Sequence, residues 1–212
     1  MERPPGAAEF IPPHADLKQL QSAVQECRGC NLYRAATQAV FGEGPTHASI
    51  FLVGEQPGND EDLQGHPFVG PAGKLLDRAL SEAGIPREDV YVSNAVKHFK
   101  FEERGKRRIH KKPADSEVTA CRPWLETEIN LIRPRVVVCM GATATRALLG
   151  RNYRLTQERG RFVTVPGAES ATATIHPSAI LRMPDEEERH RAYADFVEDL
   201  KGVRERAAAQ PR

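Results

Sequence analysis

The sequence predicts an α/β fold: a mainly parallel sheet with helices on both faces. Three observations carry this expectation. Short apolar runs end in glycine or polar residues, as in residues 49–53 before Gly54. Segments of helical periodicity separate those runs, as at Leu75, Leu76, Ala79 and Leu80. The chain has 212 residues and 40% hydrophobic content, enough for one compact core. Strands alternating with helices favour parallel pairing through crossover helices.

The elements follow in order. Leu17, Leu20 and Val24 predict a first helix running up to Cys27. Residues 49–53 read as a strand buried on both faces. The next helix closes near Gly84 and Pro86, and residues 90–92 make a second strand ending at Ser93 and Asn94. Residues 97–113 read as a long polar loop, too charged to be buried. A helix over residues 115–132 stops before Pro134, and residues 135–140 form a third strand followed by Gly141 and a short helix to Gly150. Residues 161–165 are a minor strand, residues 172–175 a fourth main strand, and residues 185–205 a closing helix. One domain over residues 16–206 is expected, with frayed ends at residues 1–15 and 207–212.

Composition excludes some functions. The formal net charge is +1, so any nucleic-acid contact must come from a local patch. No apolar run has the length of a membrane span, and the segment MERPPGAAEF does not resemble a signal peptide. A monomer in the bacterial cytoplasm is expected.

The parallel sheet gives a positional expectation, because ligands in open α/β sheets sit at the carboxyl ends of the strands. Those ends carry GEQPG (residues 54–58), Asn94, Cys139 and His176. In GEQPG, Gly54 lets the backbone approach a ligand, while Glu55 and Gln56 place an acid and an amide at the strand end. Phe68 lies in a Gly/Pro loop, suited to stacking on a flat ligand. Asn94 can read the donor–acceptor edge of a nucleobase. His176 and Arg182 follow the last main strand.

Cys27 and Cys30 form a CxxC motif, with Cys121 and Cys139 far downstream. Four converging thiolates suit zinc or a [4Fe–4S] cluster equally by spacing, and Cys121 and Cys139 also fit as ordinary buried residues. The segment KHFKFEERGKRRIHKK (residues 97–112) carries 8 Lys/Arg against 2 Glu, interleaved with Phe99 and Phe101. Its Lys106, Arg107 and Arg108 suit DNA phosphates. His110 within that cluster is expected to titrate low through like-charge repulsion, leaving a neutral nucleophile.

Together, GEQPG, PFVGPAG, Asn94, the CxxC motif with ACRPWL, and HPS resemble the iron–sulfur (family four) uracil-DNA glycosylases over about residues 25–200. The insertion KHFKF…GKRRIH resembles the covalent-trapping UdgX branch of that group. The resemblance implies a three-layer α/β/α uracil-DNA-glycosylase-like fold with a four-stranded, mainly parallel sheet. It implies a [4Fe–4S] cluster on Cys27, Cys30, Cys121 and Cys139, and uracil-containing DNA, single-stranded or duplex, as substrate. Phe68 would stack on the flipped base, Asn94 would read it, and His176 would stabilise charge on the departing uracil. Gln56 would share the catalytic turn with Glu55, which would orient His110 as it bonds to C1′ of the deoxyribose. Asn59 departs from the pattern, where an acid is usual; Asp60 or Asp62 would have to substitute if that acid matters.

Rival readings are a turnover glycosylase in which His110 only touches phosphate, and a non-catalytic reader of uracil or abasic DNA. A flavodoxin-like nucleotide-binding enzyme is weakened by the lack of GxGxxG and GxxxxGK[ST].

Overall fold

The structure, a computed structural model, describes residues 5–209. The chain lays down β1 (Ile50–Gly54), β2 (Val90–Asn94), a hairpin of β3 (Phe101–Arg104) and β4 (Arg107–His110), then β5 (Val136–Met140), β6 (Val163–Val165) and β7 (Ala168–Thr174). The helices are α1 (Leu17–Ala23), α2 (Asn59–Gln64), α3 (Pro71–Glu82), α4 (Asp115–Ile132), α5 (Ala142–Leu149), α6 (Leu155–Glu158), α7 (Pro177–Leu181) and α8 (Glu186–Ala208).

The main sheet has the order β2-β1-β5-β7-β6, parallel except for the β6–β7 pair. Every residue of β1, β2 and β5 is buried, as their unbroken apolar runs require of strands covered on both faces. One layer packs α1, α4 and α5 against Phe51, Val53, Val137 and Ala171. The other packs α3, α7 and α8 against Leu52, Val92, Val138 and Met140. The fold is therefore the expected three-layer α/β/α arrangement. The sheet has five strands rather than four, because residues 163–165 pair antiparallel with β7 as a short edge.

Two expectations are corrected. Residues 97–113 are not an irregular loop. Phe101↔His110 and Arg104↔Arg107 pair as an antiparallel hairpin around Gly105, whose φ of 60° suits a tight turn. Its stem dips into the core: Lys97 is fully buried and its ammonium pairs with Glu128, also fully buried. Ser93 Oγ donates to Glu128 as well (3.0 Å), and Lys97 Nζ donates to the Asn94 carbonyl (3.0 Å). The charge survives burial because every donor has an acceptor. The N-terminal segment is also less frayed than expected. Ala7–Phe10 form a 3₁₀ turn against α4, Ala7 and Ala15 are buried, and Gly6 N–H donates to the Gly29 carbonyl (3.1 Å). Apolar burial outweighs the Pro-rich composition there. At the other end α8 continues to Ala208, with Ala207 buried, so residues 207 and 208 are helical too. Residues 1–4 and 210–212 of the expected frayed ends lie outside the described residues. Among the described residues, no helix is long and apolar enough to cross a membrane.

Candidate active site

Parallel pairing brings the ends of β1, β2, β5 and β7 to one edge, with Gly54 in register with Asn94. Gly54 is the floor of the site. A Cβ there would stand 2.3 Å from Asn94 Oδ1, 2.7 Å from Phe68 Cζ and 3.4 Å from His176 Nε2. Three groups that can hold a base therefore converge on a position only glycine can occupy. The cavity they share measures about 150 Å³, the scale of one pyrimidine ring.

Each wall has a local cause. Phe68 sits at φ 58°, a left-handed conformation uncommon for a bulky residue. Its loop lies against α3 because Gly73 has no Cβ, which would otherwise come within 1.6 Å of the Phe68 carbonyl oxygen. Glu61 accepts the N–H groups of Gly58 (3.0 Å) and Gly70 (2.8 Å), tying the two loops together. The Phe68 and His176 rings lie roughly parallel, 6.1 Å apart.

His176 caps α7. Its Nδ1 accepts from the Ser178 backbone N–H (3.1 Å), so in the neutral ring the proton sits on Nε2, the nitrogen nearest Gly54. Burial first, then Arg182 and His110, push its pKa down to about 4. At neutral pH it is an uncharged donor. Arg182 is exposed at the rim and donates to Ser178 Oγ (3.1 Å).

A second cavity of about 240 Å³ adjoins the first, lined by Glu55, Thr143 and Gly141 and sharing His110, His176 and Arg182 with it. His110 ends β4 and stands between the two. Its Nε2 is 3.5 Å from Glu55 Oε1. Burial is the main force holding its pKa below the usual imidazole value; Arg182 adds to the shift and Glu55 opposes it. The lowered titration was expected, but from like-charge repulsion in the basic run. Desolvation leads instead, since the hairpin turns His110 into the cleft.

The four cysteines are buried thiols. Burial chiefly raises the Cys30 thiol pKa and pushes that of Cys121 up to about 12; Cys27 adds to both shifts and Cys30 to that of Cys121, so these three lie within electrostatic reach of one another. Trp124 Nε1 donates to Cys27 Sγ (3.2 Å) and Lys97 N to Cys121 Sγ (3.3 Å), the N–H···S contacts that thiolate ligands accept. Cys139 stands apart. It lies mid-sheet between Val53 and Ala173, and burial alone raises its pKa to about 12. Among the described residues, no three His, Cys, Asp or Glu side chains are arranged to hold a single ion.

Residues 41–201 match the family model described as the uracil DNA glycosylase superfamily. The chain belongs to the uracil DNA glycosylase superfamily. It is similar to the type-4 uracil-DNA glycosylase of Thermotoga maritima, 38% identical over 174 residues, covering 82% of this chain and 87% of the relative. The type-4 uracil-DNA glycosylase of Sulfurisphaera tokodaii is 34% identical over 204 residues, 92% of this chain and 87% of that one. A type-5 uracil-DNA glycosylase from Thermus thermophilus is 32% identical over 158 residues, 66% and 68% of the two chains.

In this superfamily member the expected site residues divide. Gly54, Glu55, Phe68, Asn94, His110, His176 and Arg182 gather at the paired cavities. Gln56 reaches them too, but its amide is committed elsewhere. It donates to the carbonyls of Lys100 (3.2 Å) and Lys111 (3.0 Å) and accepts from Lys100 N–H (3.0 Å), clamping the hairpin stem. Those bonds make it a brace for the hairpin at the edge of both cavities. Arg108, expected at phosphate, is engaged within the protein. It donates to Asp62 Oδ2 (2.6 Å) and Asn59 Oδ1 (2.8 Å) and packs over the Phe99 and Phe101 rings. Asp62 is fully buried in that pair, so it is not free to replace an acid at Asn59. Lys106 and Arg107 remain exposed at the hairpin tip without side-chain partners among the described residues. Sequence reasoning missed Thr143; only its place just after a strand end hinted at a role.

Proposed function

We propose that this protein excises uracil from DNA and then bonds to the abasic site through His110, as the UdgX-type branch does. The base is flipped out of its stack, since a stacked base is out of reach. Phe68 packs on its face and the Asn94 amide reads its edge. The C1′–N1 bond breaks with its electron pair going to uracil, whose negative charge is stabilised by the Nε2–H of His176 and by Asn94. The neutral imidazole of His110 closes a new C1′–N bond on the oxocarbenium-like sugar. Glu55 supports the resulting imidazolium, which releases its remaining ring proton to solvent, while uracil takes one up. Proximity favours His110 over water.

A single observation carries this reading. His110 stands 3.5 Å from the Glu55 carboxylate on the wall shared by the base-sized cavity and its neighbour, and in this reading the sugar of a base held in the first cavity lies beside it. The test is a denaturing gel with uracil-containing single-stranded DNA. A shifted band that His110→Ser abolishes supports the reading. Repeated uracil release by the wild type without a shift leaves a turnover glycosylase. Binding without uracil release leaves a reader of damaged DNA. Should His110→Ser still cross-link, the other histidine of the basic run, His98, is no ready substitute, since it is buried and lines neither cavity.

The type-4 relatives and the buried thiols of Cys27, Cys30 and Cys121 beside α4 support a [4Fe–4S] cluster held by those three. Cys139 lies in the sheet, in register with Val53 and Ala173. The better fourth ligand is His98, whose buried ring makes no hydrogen bond among the described residues and follows Lys97, the residue whose N–H reaches Cys121. The cluster would supply folding energy, tying residues 27–30 to α4 and the hairpin stem. Cys139→Ser should keep iron and the brown colour, whereas Cys121→Ser should lose both. Zinc at about one equivalent in place of iron would overturn the cluster.

A further inference from the structure

Glu55 has two carboxylate oxygens, and only Oε1 faces His110. The other, Oε2, accepts a hydrogen bond from the hydroxyl of Thr143. Thr143 is buried, 4% exposed, at the second residue of α5. It arrives there because the chain turns sharply from β5 into α5 at Gly141, whose φ of 86° and ψ of 168° exclude other residues. The turn is enforced from the other side too, since a Cβ on Gly141 would lie 3.0 Å from His176 Cβ. The first turn of α5 also presents its positive end towards Glu55.

We propose that Thr143 is a positioning residue for the covalent step. Its hydroxyl fixes the Glu55 carboxylate in the one rotamer that keeps Oε1 on His110. Without it, the carboxylate is free to turn into the adjoining cavity of about 240 Å³. The order Thr143–Glu55–His110 joins a helix start, a strand end and the hairpin across the cleft. Thr143 never meets the DNA in this scheme. It acts through Glu55 alone, and the inference rests on the covalent reading above.

The experiment is a mutant cycle read by the rate of adduct formation on uracil-containing single-stranded DNA. Thr143→Val keeps the shape and removes the hydroxyl; it should slow the maximal adduct rate about tenfold, a loss typical of one orienting hydrogen bond. The DNA concentration giving half the maximal rate should stay put, because base and phosphate contacts are intact. Thr143→Ser should restore the rate, which separates a lost hydroxyl from a disturbed fold if valine unfolds the helix start. In a Glu55→Gln background, Thr143→Val should cost little more. Valine as fast as wild type, serine as slow as valine, or an undiminished loss in the Glu55→Gln background would each overturn the proposal. A wild type that never forms the adduct refutes instead the covalent reading on which it rests.

Discussion

The base-sized cavity and the hairpin carrying His110 are built on different principles. The cavity is made from the sheet itself: Gly54 and Asn94 are register partners on parallel strands, and His176 caps the helix after β7. The hairpin pairs only with itself and is held to the body by side chains, chiefly Gln56 at its stem and Arg108 at its flank. Damage to the cavity should therefore reach every activity, whereas damage to the hairpin should separate the covalent step from base removal.

The sharpest break is His110→Ser. The variant should lose the denaturant-stable adduct altogether yet still release uracil, now with turnover, because the cavity is untouched and water can enter. Adduct on a denaturing gel beside an abasic-site assay decides it. If the variant still cross-links, the hairpin does not deliver the nucleophile and the contrast between the regions collapses.

Gly54→Ala probes the other side. Its methyl would fall 2.3 Å from Asn94 Oδ1 and 2.7 Å from Phe68. Release and adduct should fall together by about a hundredfold, as misplacement of a bound substrate generally costs. DNA affinity in a mobility-shift assay should change little, since phosphate contacts lie elsewhere. A selective loss of the adduct alone would contradict the cavity's shared role.

Arg108→Leu should loosen the hairpin without touching the cavity. Leaving the buried Asp62 with only the Thr37 N–H as donor, and no cation, should cost about 3 kcal/mol, read as a fall in the denaturant midpoint. The adduct should slow more than uracil release does. Equal slowing of both would mean that the hairpin and the cavity move as one body.

The pH profile sharpens the comparison more gently. Burial and Arg182 lower the His110 pKa, so the neutral nucleophile persists below the usual imidazole value of 6.5. The adduct rate should fall only on acidification past that lowered pKa. Arg182→Gln removes one depressing charge, so the acid limb should move upward in pH. A limb that stayed in place would assign it to another group.

The smallest effect belongs to the exposed tip. Replacing Lys106 and Arg107 by Ser should weaken DNA binding for all sequences and reduce the salt slope by about two, one for each lost phosphate contact. An unchanged slope would remove the tip from the DNA interface.

The sequence by itself determined the parallel sheet and the edge on which the site lies. Unbroken apolar runs such as residues 136–140 demand burial on both faces, and strand–helix alternation sets the direction of the parallel strands β1, β2, β5 and β7. Gly54, Asn94 and His176 were legible for the same reason, standing where those runs end. Only the tertiary structure decided what the charged residues do. Composition marked residues 97–113 as solvated, yet Lys97 is buried because Glu128, on a helix far along the chain, offers a carboxylate that spacing does not reveal. Arg108 looked equivalent to Arg107 in the run KRRIH, but β4 points them to different surroundings, one onto Asp62 and one into solvent. The cysteines divide by the same logic. Whether a thiol meets its fellows depends on how a helix and a strand pack: Cys121 lies on α4, whose Trp124 donates to Cys27 Sγ, whereas Cys139 lies in the sheet beside Val53. Backbone periodicity is a local property that neighbours along the chain write into the sequence. Pairing of charges and thiols is set by partners remote in sequence, and only folding brings those together.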